Sequence, residues 1–261
     1  MSYPVYPTDL TDRQWDCIKD LVPAAKPGGR PRSLDMRQVL NALFYVVRTG
    51  CQWRMLPKSY PKWQSVYYYF RIWRDDGTWQ WIHDALRAQV RTQVGKHPTP
   101  TAAILDSQSV KTTERGGVRG YDAGKRVKGR KRHLLVDTLG LIWLVLVTSA
   151  GVQDRAAAEP LLSLARYYVP TLRTIWADGG YQGKLVSWVQ SWCQWTLQII
   201  KRSETAQGFE VLPKRWIVER TFGWLGRARR LSKDYEYYTR SSETMILLTM
   251  THLMVRRLAR P

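Results

Sequence analysis

The sequence predicts two domains of different class: an all-α domain over residues 1–98 and an α/β domain over residues 99–261 that closes with a C-terminal helix. Three observations point there. Apolar residues recur at helical spacing up to residue 98, short apolar runs alternate with helical segments after it, and Pro98-Thr99-Pro100 breaks the chain between them. A length of 261 residues suits one large domain or two modest ones.

Each element has its own warrant. Asp9-Leu10-Thr11-Asp12 supplies an N-cap region for a helix through Val22. Pro27, Gly28, Gly29 and Pro31 break the stretch from Ala24 to Ser33. Met36, Val39, Leu40, Leu43 and Val47 give a second helix over Leu34–Arg48, with Gly50 placed to cap it. After a loop with Pro57 and Pro61, Trp63, Val66, Tyr67, Phe70 and Trp73 predict a third helix. Trp79, Ile82, Leu86 and Val90 predict a fourth, beyond the break at Asp75-Asp76-Gly77. The helices at Leu34–Arg48 and Lys62–Arg74 flank a short loop, an arrangement compatible with helix-turn-helix geometry. Val66, Phe70 and Trp73 face inward, and Gln64, Tyr68 and Arg71 lie elsewhere on the helix. Gln64 and Arg71 could reach base edges in a major groove. A helical bundle that only dimerises is the plainer alternative.

Beyond residue 98, Thr101–Leu105 reads as a short strand ending at Asp106. Lys131–Asp137 and Leu141–Ser149 read as a hairpin around Thr138-Leu139-Gly140. Then follow a helix at Arg155–Val169, a strand at Thr174–Ala177 ending at Asp178, a helix at Lys184–Gln194 and a strand at Thr196–Ile200. Helices at Arg215–Leu231 and Ser241–Leu258 complete a β-β-β-α-β-α-β-α-α order with five strands.

Composition narrows the function. Lys and Arg number 41 against 21 Asp and Glu, a net charge of +20 that calls for a polyanionic partner. Hydrophobic residues make up 44% of the chain, which excludes a disordered polycation. Cys17, Cys51 and Cys193 form no metal pattern and no disulfide framework, as expected in a reducing cytoplasm. MSYPVYPTDL has no signal-peptide pattern, and the longest apolar run, Leu139–Val152, is too short to span a bilayer. Nucleic acid is therefore the expected partner, and a membrane is not.

Two carboxylates, Asp106 in ILDSQS and Asp178 in WADGGY, stand at the ends of expected buried strands, where ligand crevices form in α/β sheets. An unpaired buried carboxylate is costly, so packing gives little reason for either. The plainer role is an Asx cap on the following turn, with Ser107 or Gly179. The third acid is Glu219. Ile217, Thr221, Trp224, Ala228 and Leu231 share one helical face; Glu219 stands about 200° round from Ile217, with Arg215 and Arg230 as neighbours. Taken alone it reads as a solvated residue paired with Arg215 one turn before it. Taken together, three acids on two strand ends and one helix could converge on one site. Hard cations such as Mg²⁺ or Mn²⁺ bind carboxylate oxygens, and two of them about 4 Å apart suit an in-line phosphoryl displacement. Gly179 and Gly180 would let a phosphate backbone approach Asp178.

The segment Lys111–His133 holds nine Lys or Arg residues and five glycines against Glu114 and Asp122, and reads as a flexible basic loop. Lys125, Arg126, Lys128, Arg130 and Lys131 are its candidates for holding DNA. Arg215 has a rigid fork suited to a phosphate beside the cut. Together with Arg215, the residues Lys214, Arg220, Arg227, Arg229 and Arg230 place a second cationic surface around Glu219.

LDSQSVKTTERGG, YDAGKRVKGRKRHLLVDTLGL, WADGGYQG and RWIVERTFGWLGRARRLSKDYE closely resemble the transposases of bacterial insertion sequences, in the insertion sequence 5 group. GCQWRMLPKSYPKWQSVYYYFRIW carries the resemblance into the N-terminal part. It implies an Asp-Asp-Glu enzyme with an RNase H-like fold, whose β-β-β-α-β-α-β-α order matches the one read above. It also implies that Asp106, Asp178 and Glu219 are the catalytic triad, holding two Mg²⁺ or Mn²⁺ ions. The family's Tyr-Arg-Glu-Lys signature falls with its Arg on Arg215 and its Glu on Glu219. Its Tyr position is Leu212 and its Lys position Gly226, with Arg227 one residue later. The interval from Asp178 to Glu219 leaves no room for the large insertion domain of some related transposases.

The activity so implied is DNA transposition. Residues 1–98 would recognise terminal inverted repeats of double-stranded DNA. Residues 99–261 would cleave a strand and join its 3′-hydroxyl to target DNA, within a homodimeric synaptic complex on the nucleoid. The alternatives are an RNase H-fold nuclease or resolvase without strand transfer, and a domesticated DNA-binding regulator without catalysis.

Overall fold

A computed structural model describes residues 6–25, 27–28, 32–114, 116–200 and 214–260. Leu212 and Arg115 lie outside the described residues. The helices are α1 (Asp12–Ile18), α2 (Met36–Thr49), α3 (Trp63–Asp75), α4 (Thr78–Gln93), α5 (Asp154–Tyr168), α6 (Lys184–Trp188), α7 (Trp216–Gly226) and α8 (Thr239–Leu258). The strands are β1 (Ala102–Lys111), β2 (Gly120–Asp122), β3 (Val127–Asp137), β4 (Ile142–Ser149), β5 (Thr174–Ala177) and β6 (Thr196–Ile199). Two compact units result, one of Met1–Lys96, Arg227–Ser232 and Thr244–Pro261, the other of His97–Gly226 and Lys233–Glu243.

In the first unit, Thr11 and Gln14 close a capping box on α1, and the Asp35 carboxylate accepts from the Arg37 amide to cap α2. Gly50 ends α2 at φ 72°, and the backbone of Arg229 and Arg230 passes 3.2–3.3 Å from where its Cβ would be. Any other residue there would be strained and crowded. Val39, Leu40, Leu43, Phe44 and Val47 are buried along α2. Phe44 stacks on His252 of α8 with ring centroids 4.5 Å apart. That packing explains why residues 99–261 do not form one unit: the later part of α8 covers its apolar side in the first. The helix-turn-helix expectation also changes. The link from α2 to α3 spans residues 50–62 and contains a 3₁₀ turn at Trp53–Met55, whereas the tight turn is Asp76-Gly77 between α3 and α4. On α3, Val66, Phe70 and Trp73 are buried, and Gln64, Tyr68 and Arg71 are exposed.

The second unit is built on a six-stranded mixed sheet. β3 is antiparallel to β1 and β4, β5 joins β1 in parallel, and β6 joins β5 in parallel. β2 pairs with the start of β3, so the segment expected as a flexible loop contains a sixth strand. Leu105, Leu135, Leu144, Leu161, Leu162, Ile175 and Leu197 form one core between sheet and α5. Two sequence expectations are corrected. β1 does not stop before Asp106 but runs on to Lys111, pairing Asp106 with Leu134 and Ser107 with His133. α7 stops at Gly226, not Leu231, so Ala228 and Leu231 are off its face. Arg230 is therefore no helical neighbour of Glu219; it donates to the Cys51 carbonyl at 3.4 Å within the first unit.

The β3–β4 hairpin anchors α7. Asp137 accepts from the amides of Leu139 and Leu141 at 2.8 and 3.0 Å, and Gly140 turns the chain at φ 78°. Thr221 then donates to the Gly140 carbonyl at 2.8 Å and Arg220 to the Leu139 carbonyl at 3.0 Å. These bonds fix the helix that presents Glu219.

Candidate active site

Strand alternation sends Asp106 to the sheet face opposite Leu105, Ser107 and the α5 core. That face meets α7. Asp178 leaves the end of β5, and Glu219 lies in the first turn of α7. All three carboxylates converge on one atom. The Arg215 Nη2 stands 3.7 Å from Asp106 Oδ2, 3.6 Å from Asp178 Oδ2 and 3.7 Å from Glu219 Oε1. Each separation is an ion pair but longer than a hydrogen bond. Exposure rises across the site, from 13% for the Asp106 side chain to 33% for Asp178 and 52% for Glu219, so it opens to solvent on the helix side.

The Asx caps are present as well. The Ser107 amide donates to Asp106 Oδ1 at 2.7 Å, and the Gly180 amide to Asp178 Oδ1 at 2.8 Å. Each leaves the other carboxylate oxygen for the shared centre. Arg215 is the turn residue ahead of α7, and its carbonyl accepts from the Val218 and Glu219 amides. Lys214 before it sits at φ 70°, a conformation costing a non-glycine residue about 1–3 kcal/mol. Burial pushes the Asp106 carboxyl up to about 6; the Ser107 amide opposes this and the Asp178 charge adds to it.

Behind Asp106 lies a polar layer with no local signal in the sequence. Ser107 donates to Asp154 Oδ1 at 2.8 Å, and the Lys131 ammonium lies 3.2 Å from the same oxygen and 3.5 Å from Asp122. Lys131 also donates to the Val152 carbonyl. Tyr181 is buried beside these acids; burial first, then the charges of Asp106, Asp154 and Asp178, raise its pKa. Asp154 reads in sequence as an ordinary acid at a helix start, and only the fold reveals that it accepts from Ser107, 47 residues away.

The basic candidates divide. Lys125, Arg126 and Lys128 are exposed, with Lys125 reaching the Ser107 carbonyl at 3.1 Å. Arg130 and Lys131 are buried with internal partners, so the expectation that they hold DNA is corrected. Arg130 donates to Val118, Glu236 and Tyr237 carbonyls and to Asp234. Arg227 is exposed but belongs to the first unit, where its carbonyl accepts from Arg48 at 2.6 Å.

Among the described residues no group of three His, Cys, Asp or Glu side chains stands in metal-binding geometry; the three acids meet on a guanidinium. Their chemistry nonetheless fits a hard divalent cation. Three carboxylates face one monovalent group, and Asp106 is already raised toward neutrality by burial and by Asp178.

A mixed sheet with acids on its first strand, at the end of a parallel neighbour and on a covering helix defines an RNase H-like domain with an Asp-Asp-Glu arrangement. The family of the transposase DDE domain matches residues 97–254, and the putative transposases of the IS4/5 family match residues 10–83. The chain belongs to the DDE-domain transposases of the IS4/5 family, a class of enzymes. It is 28% identical over 115 residues to a putative transposase for insertion sequence element IS402 of Burkholderia cepacia, covering 41% of this chain and 54% of the relative. An uncharacterized 16.2 kDa protein of the IS402 element from the same organism is 28% identical over 113 residues, covering 41% of this chain and 76% of that protein. The uncharacterized protein y4sN of Sinorhizobium fredii is 32% identical over 68 residues, covering 26% of this chain and 54% of its own length. The matched region thus spans about half the length of two of these relatives. No solved structure matches the chain. Among the described residues no helix is long and apolar enough to cross a membrane.

Proposed function

We propose that the chain binds the ends of a mobile DNA element and cleaves and joins strands at the centre formed by Asp106, Asp178 and Glu219. The convergence of the three carboxylates on one nitrogen at 3.6–3.7 Å carries this reading. Asp106, Asp178 and Glu219 would hold Mg²⁺ or Mn²⁺, two ions by family resemblance. When bound, these would supply Lewis-acid polarisation of the phosphodiester and charge stabilisation in its displacement.

The chain's own residues do the rest by positioning. Arg215 holds the phosphate beside the cut with its planar fork. Lys125, Arg126 and Lys128 hold the DNA backbone, and the open side of Gly179 leaves room for it near Asp178. Gln64 and Arg71 on α3 read base edges, and Arg227 contacts backbone phosphate. Water attacks the phosphodiester at the element's end and frees a 3′-hydroxyl, which then attacks the target phosphodiester. Two ends are processed together in a homodimer on the nucleoid, in the cytoplasm.

The test uses the full-length protein, Mg²⁺ and a labelled duplex bearing the inverted repeats that flank the coding sequence. The reading expects cleavage at the repeat ends and joined products, both absent for Asp106→Asn. Cleavage without joining, and without preference for the repeats, would replace it with the nuclease alternative.

A further inference from the structure

Arg215 occupies the point where the three acids meet, and that position has a consequence for loading of the site. Its Nη2 is equidistant, within 0.1 Å, from one oxygen of each acid. A divalent cation drawn to the same three carboxylates would need the same space. Two cations a few ångströms apart repel strongly in a half-buried site. The guanidinium and the metal ion therefore exclude each other at this point.

We propose that Arg215 is a positioning residue of the metal-free enzyme: it is the resident counterion that holds Asp106, Asp178 and Glu219 together, and it yields its place when a divalent cation enters. The proposal rests on the metal-site reading above and adds an order of events to it. Without a cation, three clustered carboxylates repel one another, and Asp106 has little water to screen it. Arg215 offsets that repulsion. It is also built to leave. None of its three contacts is as short as a hydrogen bond, and the Glu219 partner is half exposed, so that pair in particular is weak. The side chain starts one residue beyond Lys214, whose left-handed backbone fixes where the arginine begins. Once displaced, the fork is next to the site and available to a phosphate, which links metal entry to the DNA-contacting role of the same residue.

A residue that only shaped the site would weaken both stability and metal binding when removed. A displaceable counterion has opposite effects on the two, and this separates the cases. Isothermal titration with Mn²⁺, and melting temperatures in chelator and in Mn²⁺, are measured for the full-length protein, Arg215→Ala and Asp106→Asn. Arg215→Ala is expected to melt lower than wild type in chelator. It should bind Mn²⁺ on the order of tenfold tighter, since no resident cation has to be expelled. Millimolar methylguanidinium should restore its chelator melting temperature and weaken its Mn²⁺ binding toward wild type. Arg215→Gln carries the same expectations should the alanine variant fail to fold. Unchanged or weaker Mn²⁺ affinity in a folded Arg215 variant overturns the proposal. If Asp106→Asn loses Mn²⁺ binding in that same experiment, only the counterion role has failed. If neither wild type nor the Arg215 variants bind Mn²⁺, the metal-site reading fails and the proposal with it.

Discussion

Arg130 and Arg215 both face carboxylates in the second unit, but their surroundings are opposites. Arg130 is fully buried, donates to three carbonyls at 2.7–2.8 Å, and meets Asp234 and Ser242 at 3.1 Å. Asp234 is equally enclosed, accepting from Ser242 at 2.7–2.8 Å and from the Glu236 amide at 3.0 Å. Arg215 has three acids at 3.6–3.7 Å in a site open to solvent. A satisfied buried pair holds a fold together and resists change. A loose cluster with surplus negative charge is a place where something else can bind. Charge alone did not distinguish them in the sequence; hydrogen-bond completeness does.

The largest contrast should come from the acids. Asp106→Asn, Asp178→Asn and Glu219→Gln are each expected to lower DNA cleavage on the order of a thousandfold or more while leaving the melting temperature unchanged or higher. Asp234→Asn should instead lower the melting temperature. A cluster of acids as costly to remove as Asp234 would erase the distinction. Arg130→Met should destabilise the full-length protein by about 3–5 kcal/mol in urea denaturation, because it strands Asp234. A cost below about 1 kcal/mol would mean that the buried pair is not structural.

Glycines near each arginine sharpen the comparison further. A Cβ on Gly117, at φ 80°, would overlap the Tyr237 carbonyl oxygen and crowd Arg130, so Gly117→Ala should cost about 1–3 kcal/mol. Nothing lies within 4 Å of a Cβ on Gly179, so Gly179→Ala should change stability by less than about 0.5 kcal/mol and slow DNA cleavage instead.

The buried side also has a pH signature. Burial pushes Glu243 up to about 7 from 4.5, despite the bond it accepts from the Val147 amide at 2.8 Å. The folded chain keeps a proton that the unfolded chain releases, so stability falls as pH rises from about 4.5 to about 7. Glu243→Gln should flatten that slope in denaturation curves taken across the window. An unaltered slope would place the titration elsewhere. The smallest structural effect belongs to the loop: neutralising Lys125, Arg126 and Lys128 should change stability by less than about 0.5 kcal/mol. The salt slope of DNA binding should fall by about 2–3. Equal slopes would remove the loop from the interface.

Much of this was legible. The apolar spacing of Met36, Val39, Leu40, Leu43 and Val47 announces α2, and Thr174–Ala177 is the strand expected from its apolar run. Asp178 stands after a short strand and Glu219 on a helix, as read; Asp106 was singled out as a strand end although β1 runs on past it. Less legible was the course of β1 beyond Asp106, because Ser107 and Ser109 look like turn residues until Asp154 and Asp122 accept from them. Arg130 and Lys131 read as DNA-holding residues of a flexible basic loop, and Lys131–His133 as the start of a strand, yet Arg130, Lys131, Arg132 and His133 are all buried. The carboxylate partner of Arg130 is distant in sequence, Asp234 lying 104 residues away. Local pattern reports the period of a segment; it does not report which remote carboxylate will neutralise it. The centre position of Arg215 was hidden for the same reason, since a helical i, i+4 pairing with Glu219 gives no sign of the two aspartates.

The passage of α8 from one unit into the other bears on how the molecule is made. Its first turn, to Glu243, belongs to the second unit, and Thr244 onward belongs to the first. During synthesis the second unit therefore has all its pieces before the unit that was begun first. A released chain ending at residue 243 would hold every segment of the second unit, while the first would still lack Thr244 onward and with it the partner of Phe44. Fragments cut at residue 98 inherit the same gap. A helical unit able to bury its core needs the chain's distal end supplied in trans, or spliced on by circular permutation.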